Sequence, residues 1–202
     1  MKIGISGAVG IGKTCFVDGL NNSIFLRIDE AARKVNAMYP DKKIEELREL
    51  IFHHQISVEE VVDRFAEDVI AVCDRTVIDN IVFMELFKGK EISVAEKNFA
   101  KSSYLRNLKK YDALYYLDYG HIIDDALFKR MLSDDFRKKT LGSFAAAYNF
   151  FDFNSKFRDI FLKTADEFGI PVEVIETDYN ELPLKERNKM LSNKILNNFL
   201  GV

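Results

Sequence analysis

The sequence predicts an α/β fold in which helices connect the strands of a parallel β-sheet. Five short apolar runs are spaced along the chain, and segments with helical periodicity lie between most of them. Strands that alternate with helices form parallel sheets with right-handed crossovers. A glycine-rich loop follows the first run, at the sheet edge where α/β proteins bind their ligands.

The predicted strands are residues 2–6, 24–28, 69–73, 113–117 and 172–175. Apolar residues that recur every three or four positions predict helices over 12–20, 78–88 and 94–110. From residue 41 to residue 65 the same period indicates one long helix or two in series. Ser57 and Glu60 form a candidate capping box that would start the second. The segment 122–168 contains no predicted strand.

The composition predicts one globular domain over residues 1–202. The 202 residues are 48% hydrophobic, which is enough for a single covered core. Only three prolines and ten glycines occur. No low-complexity tract or internal repeat marks a linker between domains.

Net charge, apolar run length and cysteine content bear on where the protein is located and which partners it binds. The 29 basic and 32 acidic residues give a net charge of −3, so the chain has no overall attraction for nucleic acid or an anionic membrane. No apolar run is long enough to span a bilayer, and no charged-then-apolar leader precedes the first strand. Cys15 and Cys73 lie in segments predicted as core or core edge, and two cysteines form no disulfide framework. We therefore expect a cytoplasmic protein without a membrane partner.

The glycine-rich loop matches the phosphate-binding motif G-x-x-x-x-G-K-[ST] in full, between a strand and a helix as the motif requires. Glycines let backbone N–H groups turn inward around phosphate oxygens, and the following helix adds the positive end of its dipole. Lys13 is expected to contact the β- and γ-phosphates, and the Thr14 hydroxyl to bind Mg²⁺. The implied cofactors are ATP and Mg²⁺. The predicted contact residues are Gly7, Ala8, Val9, Gly10, Ile11, Gly12, Lys13, Thr14 and Cys15, the last also expected to face the core.

Two carboxylates follow the second predicted strand. Asp29 and Glu30 fall at the carboxyl edge of the sheet, and Arg33 lies one helical turn beyond Glu30 as a candidate for binding the acceptor. A carboxylate at this edge can orient the hydroxyl of a phosphate acceptor and take its proton. In the alternative interpretation Asp29 is a helix N-cap and Glu30 lies in the first turn. Both carboxylates remain candidate bases.

The third predicted strand is followed by Asp74 and Arg75, and by Asp79 one turn later. Asp74 can bind Mg²⁺ directly or through water, and Arg75 offers a rigid fork of donors to phosphate oxygens. Asp79 and Arg75 are candidates for binding the acceptor. The alternative is a surface ion pair between Asp74 and Arg75 beside a buried strand.

A basic segment at about residues 121–140 has the position of a lid. Its cations recur at helical spacing, and a helical flap of this kind can close over ATP and neutralise charge on the transferred group. Arg130 and Arg137 are the candidates, because arginine makes bidentate contacts with phosphate. The alternative is a solvated helix face with acid–base pairs.

Together these motifs resemble a family of P-loop kinases that includes deoxynucleoside, thymidylate and nicotinamide riboside kinases, with phage-type ATPase-like kinases. The resemblance covers nearly the whole chain, and only its phosphate loop is specific by itself. It implies a three-layer fold with a five-stranded parallel sheet ordered 2-3-1-4-5 and a helical lid.

The resemblance also implies roles for single residues. The carboxylate after strand two would act at the acceptor hydroxyl, Asp74 and Arg75 would organise the acceptor and the phosphates, and the lid arginines would meet the transferred phosphoryl group. Thr76 stands where thymidylate kinases have a tyrosine or phenylalanine, which argues against a nucleoside monophosphate acceptor.

These observations favour an ATP-dependent kinase acting on a nucleoside-like or nucleotide-like acceptor, and related kinases are often homodimers. One alternative is a polynucleotide kinase that phosphorylates a base hydroxyl in DNA. Its candidate backbone-binding cations are Lys97, Lys101, Arg106, Lys109 and Lys110. Another alternative is a regulatory P-loop ATPase without a phosphate acceptor.

Overall fold

The computed structural model describes residues 1–20, 24–65, 69–88, 94–107, 111–118, 133, 135, 150–176 and 183–200. The strands are β1 (Lys2–Gly7), β2 (Phe25–Ile28), β3 (Ile70–Asp74), β4 (Ala113–Asp118) and β5 (Glu173–Glu176). The helices are α1 (Lys13–Asp18), α2 (Ala31–Met38), α3 (Arg48–Phe65), α4 (Val77–Lys88), α5 (Val94–Asn107), α6 (Phe150–Glu167) and α7 (Leu184–Leu200). A 3₁₀ turn at Ile44–Leu47 precedes α3.

The five strands form one parallel sheet in the order β2-β3-β1-β4-β5. The central strand is β1, in which Gly4 pairs with Cys73 on one side and Leu114 on the other. The predicted strand order is therefore confirmed, as is the position of each strand along the chain. Because neighbouring strands run in the same direction, the carboxyl ends of β1, β2 and β3 meet at one edge.

Two apolar layers cover the sheet. One face, which includes Ile5 and Val72, packs against α1 and α7. The other, which includes Cys73 and Tyr116, packs against α3, α4, α5 and α6. Alternate residues of a strand point to opposite faces, so a central strand that is buried along its whole length, as β1 is, needs helices on both sides. Three layers result.

Helix α3 corrects one prediction. It continues without a break from Arg48 to Phe65, and Ser57 lies in its interior. The Ser57 hydroxyl donates to the backbone carbonyl of His53 at 2.8 Å. The predicted helix start at Ser57 and Glu60 is therefore wrong, because the buried side of α3 runs continuously past the serine.

Cys15 corrects a second prediction, since it is exposed on α1 and does not face the core. The helix instead buries Phe16 and Val17. Cys73 is buried as predicted. Within the described ranges, no helix has the length and apolarity needed to cross a membrane.

Candidate active site

The phosphate loop connects β1 to α1. Gly7, Gly10 and Gly12 have φ values of 134°, 91° and 92°, which residues with a Cβ atom rarely adopt. A Cβ on Gly7 would lie 2.4 Å from the Ile11 Cδ1 atom and 2.6 Å from the Leu117 carbonyl oxygen. Glycine is therefore required at the start of the loop, where the chain turns to form an open backbone cradle suited to an anion.

Lys13 begins α1 and is only 5% exposed. Its Nζ donates to the carbonyl oxygens of Gly7 at 2.9 Å and Ala8 at 2.5 Å. Burial and the nearby Arg75 cation lower the pKa of Lys13 to about 7, although Asp74 acts in the opposite direction. The ammonium would be stabilised by the negative charge of a phosphate placed in the loop.

Thr14 and Asp74 form a pair with the chemistry of a Mg²⁺ site. The Thr14 hydroxyl donates to Asp74 Oδ2 at 2.6 Å, while Asp74 Oδ1 is buried without a hydrogen-bond partner in the described part of the chain. Mg²⁺ takes oxygen ligands and commonly binds through one or two carboxylates together with substrate phosphates. No group of three His, Cys, Asp or Glu side chains among the described residues could hold a metal ion. The pair therefore fits Mg²⁺ that arrives with nucleotide phosphates.

We expect Asp74→Asn to raise the thermal stability of the ligand-free protein at pH 7. Burial and the negative charge of Glu30 raise the pKa of Asp74 from 3.8 to about 6. Because the pKa in the folded state lies above the unfolded value, stability falls as the pH rises from about 4 to about 6. The amide removes this cost, which is on the order of 1–3 kcal/mol.

Thermal unfolding of both proteins at pH 7 and pH 4 measures this effect. The two melting temperatures should converge at pH 4, where Asp74 is protonated in the folded wild type. The exposed Asp29→Asn is the matched control. A less stable Asp74→Asn variant at pH 7 would contradict the prediction.

Arg75 directly follows β3, and its guanidinium group contacts two carboxylates and an aromatic ring. It has a φ of 76°, the only positive φ of a non-glycine residue among those described. Its Nε donates to Glu30 Oε1 at 2.9 Å, and its Nη1 donates to Asp79 Oδ1 at 2.9 Å. The guanidinium carbon lies 4.8 Å from the centre of the Phe83 ring. The alternative of a surface Asp74–Arg75 pair is wrong, because both residues are buried.

Asp79 links this arginine to the start of α4. Its Oδ2 accepts from the Thr76 backbone N–H at 2.8 Å, and its own N–H donates to the Thr76 hydroxyl at 3.3 Å, which together make a capping box. Its Oδ1 accepts from the Ser6 hydroxyl at 2.7 Å as well as from Arg75. These contacts favour a role in orienting Arg75, and direct contact between Asp79 and an acceptor stays a prediction.

Glu30 and Asp29 have different surroundings. Glu30 is 11% exposed and accepts from both Arg75 and Arg33, the latter at 3.2 Å. Asp29 is 57% exposed and pairs with Lys34 at 2.8 Å. Glu30 occupies the N-cap position of α2 without a side-chain capping bond, so the alternative with Asp29 as the cap is wrong.

Opposing effects set the charge of Glu30. Burial by itself would raise its pKa, but the positive charges of Arg75, Lys13 and Arg33 lower it below the ordinary value. Glu30 is therefore ionised near neutral pH and can accept a hydrogen bond from an incoming hydroxyl group.

A cleft with about 730 Å³ of empty space, part of it open to solvent, lies between the phosphate loop, α2, α3 and α4. The structure thereby brings eight predicted residues around one space: Val9, Gly10, Gly12, Lys13, Thr14, Glu30, Arg33 and Arg75. Asp29 and Cys15 are not among its lining residues.

Five further lining residues were not singled out as binding residues by the sequence: Ala32, Ile44, Arg48, Ile51 and Asn80. Asn80 is buried, and its Nδ2 lacks a hydrogen-bond partner in the described chain. Arg48 is the first residue of α3, where a cation is indistinguishable by pattern from the polar face of the helix. One feature of the sequence could have indicated Asn80 as a site residue: it directly follows Asp79 on the helix after Asp74 and Arg75.

Phe83 is the aromatic residue that lines the cleft. It packs on Arg75. Tyr104 and Phe52 are buried in the core, and Tyr39 is exposed outside the cleft lining. Residue type alone does not rank these four residues, because it does not reveal which ring faces the cleft.

The lid predicted at 121–140 lies outside the described residues apart from Ser133 and Asp135, and so do Arg130 and Arg137. Of the candidate cations for binding a DNA backbone, Lys101 contacts the Glu167 carbonyl and the Phe168 ring, and Arg106 is exposed. Nothing is described for Lys109, Lys110 or the side chain of Lys97. Binding of a DNA backbone by these cations therefore stays a prediction.

A strand, a glycine loop of left-handed backbone and a buried lysine at the start of a helix define a P-loop nucleotide-binding protein. The chain belongs to the AAA domain family, whose model matches residues 2–181. No curated protein matches it.

The fold is similar to that of deoxyadenosine kinase from M. mycoides. The structure of that enzyme with bound dCTP has 17% identity and a TM-score of 0.55, and the structure with bound dATP has 15% identity and a TM-score of 0.62. A third, with the products dCMP and dCDP, has 17% identity and a TM-score of 0.58. Each covers 96% of this chain and 98% of the other. At these identities the likeness shows the fold.

Proposed function

We propose that the protein is an ATP-dependent kinase that transfers the γ-phosphoryl group to a hydroxyl of a nucleoside-like or nucleotide-like acceptor. The observation that carries this proposal is the position of Glu30. Its carboxylate is held by Arg75 and lines the same cleft as the phosphate loop. A base and a phosphate site that line one cleft support phosphoryl transfer, and the likeness in fold to deoxyadenosine kinase agrees with it.

The phosphate loop and Lys13 would hold the phosphates of ATP in this proposal. Thr14 and Asp74 would bind Mg²⁺, which neutralises phosphate charge when it is present. Arg130 and Arg137 are proposed to close over the same phosphates from the lid segment.

The acceptor would lie on the side of the cleft formed by α2, α3 and α4. Glu30 accepts the proton of its hydroxyl while the hydroxyl oxygen forms a bond to the γ-phosphorus and the bond from that phosphorus to the β-phosphate oxygen breaks, which leaves ADP. Phe83 offers an apolar wall for a base, and the buried Nδ2 of Asn80 can donate to a carbonyl group on it. Arg33 and Arg75 hold Glu30 in place.

A transfer assay with γ-labelled ATP tests this function. The panel contains deoxynucleosides, ribonucleosides, nucleoside monophosphates, nicotinamide riboside and oligonucleotides. We expect a labelled nucleoside or nucleotide product that depends on Mg²⁺. Label on oligonucleotides alone would favour the polynucleotide alternative. Hydrolysis of ATP without any acceptor, unchanged by Glu30→Gln, would indicate a regulatory ATPase and contradict the proposal.

A further inference from the structure

Gln55 is a polar residue in the middle of α3, and it does not line the cleft. It is 1% exposed, and its Nε2 donates to Glu59 Oε1 at 2.7 Å and to the backbone carbonyl of Arg75 at 3.4 Å. Its own Oε1 is buried and has no hydrogen-bond partner within the described chain. A buried amide with an unsatisfied oxygen costs stability that an apolar side chain would avoid. The contribution of Gln55 therefore lies in its two N–H donors.

Glu59 determines the orientation of the Gln55 side-chain amide. It is fully buried, accepts from the Tyr111 hydroxyl at 2.8 Å and pairs with Lys2 at 3.3 Å. A carboxylate needs donors around it, so the Nε2 group of Gln55 faces Glu59 and the Oε1 atom does not. The second proton of Nε2 is then available to Arg75.

The backbone of Arg75 is fixed by hydrogen bonds on both sides. Its N–H donates to the Ile5 carbonyl at 3.0 Å, and its carbonyl accepts from Gln55. Between them φ is 76°, a conformation that is unfavourable for a residue with a Cβ and persists only where surrounding groups stabilise it. This conformation directs the guanidinium towards Glu30 and Asp79.

We propose that Gln55 is a positioning residue for phosphoryl transfer, which stabilises the left-handed backbone of Arg75 and thereby keeps its guanidinium against Glu30. This inference rests on the proposed kinase function. Gln55 does not line the cleft and acts only through Arg75. Its loss should therefore change the catalytic step more than the binding of ATP.

Gln55→Met tests the inference, because it keeps a similar volume and removes both donors. We expect kcat to fall about fivefold to tenfold, the effect of one lost hydrogen bond at the reaction step, with the affinity for ATP unchanged. Tyr111→Phe is the matched control, since it removes the hydrogen bonds that the Tyr111 hydroxyl donates to Glu59 and accepts from the Val77 N–H, and it leaves the Gln55–Arg75 contact in place. It should retain kcat near that of the wild type.

A double-mutant cycle separates positioning from general stability. In an Arg75→Ala background, Gln55→Met should lower kcat no further, because a residue that acts through Arg75 has nothing left to position. Additive losses, or a Tyr111→Phe loss equal to that of Gln55→Met, would overturn the inference.

Gln55→Glu covers the case in which Gln55→Met does not fold. Its carboxyl group has at most one proton and cannot donate to both Glu59 and Arg75, so a similar loss of kcat is expected. An unchanged kcat in a folded variant would refute the positioning role of Gln55 and leave the kinase function standing. Absence of transfer by the wild type itself refutes the kinase function, and the inference fails with it.

Discussion

Glu30→Gln should lower the rate of γ-phosphoryl transfer by roughly 10²- to 10⁴-fold, the usual contribution of a general base. The amide keeps the shape of the side chain but cannot accept a proton. It also weakens the interaction with Arg75, whose Nε lies 2.9 Å from Glu30 Oε1. Steady-state kinetics with the best acceptor from the transfer screen measure the effect, and the KM for ATP should change little because Glu30 is not part of the phosphate loop.

Asp29→Asn is the matched control for this variant. Asp29 is the neighbouring carboxylate, but it is exposed and paired with Lys34. A surface ion pair of this kind contributes little, so kcat should stay within about twofold of the wild type. A large loss with Asp29→Asn and a small one with Glu30→Gln would reverse the assignment of the base.

Lys13→Ala should reduce transfer at least about 10³-fold, towards the limit of detection, by removing a buried cation that stabilises the transferred phosphates. The fold should be retained. The lowered pKa of Lys13, about 7, means that the folded protein disfavours its charge. Since the pKa in the folded state lies below its ordinary value of 10.5, stability rises with pH between these values, and near pH 7 the ammonium is unfavourable in the ligand-free fold. The melting temperature of the variant should therefore equal or exceed that of the wild type.

Lys42→Ala provides the comparison for the loss of an exposed lysine, since Lys42 forms a long surface pair with Glu46 at 3.9 Å. It should retain full activity. Nucleotide binding, followed by fluorescence of a labelled ATP analogue, should be weakened in Lys13→Ala and unchanged in Lys42→Ala. A Lys13→Ala protein that transfers phosphate at the wild-type rate would contradict the assignment of the phosphate loop.

Lys13 and Asp74 share a property that bears on function. Both side chains are buried, and the ligand-free protein disfavours the charged form of each. The pKa of Lys13 is lowered to about 7, and the pKa of Asp74 is raised to about 6. ATP with Mg²⁺ would supply the missing charges to each. Part of the binding energy would then relieve a cost that is already present in the empty site, as is common where stability is given up for activity.

Local patterns were sufficient for much of the fold and for one part of the site. The phosphate loop lies within eight consecutive residues, so its chemistry can be recognised without knowing the rest of the chain. The five strands follow from short apolar runs, and their order 2-3-1-4-5, implied by resemblance, is confirmed. The false helix start at Ser57 shows the limit of such patterns, because a capping signal can lie inside a helix whose buried face continues.

What the sequence determined by itself was the set of residues at the carboxyl edge of the sheet, because strand ends and motif positions are local properties. Only the tertiary structure distinguished Glu30 from Asp29, since adjacent residues of one chain differ in burial according to what packs against them. The same holds for Asn80 and Phe83, which line the cleft through the packing of α4. Gln55 reaches Arg75 across 20 positions of sequence, and no spacing rule predicts a contact that depends on how α3 lies against β3.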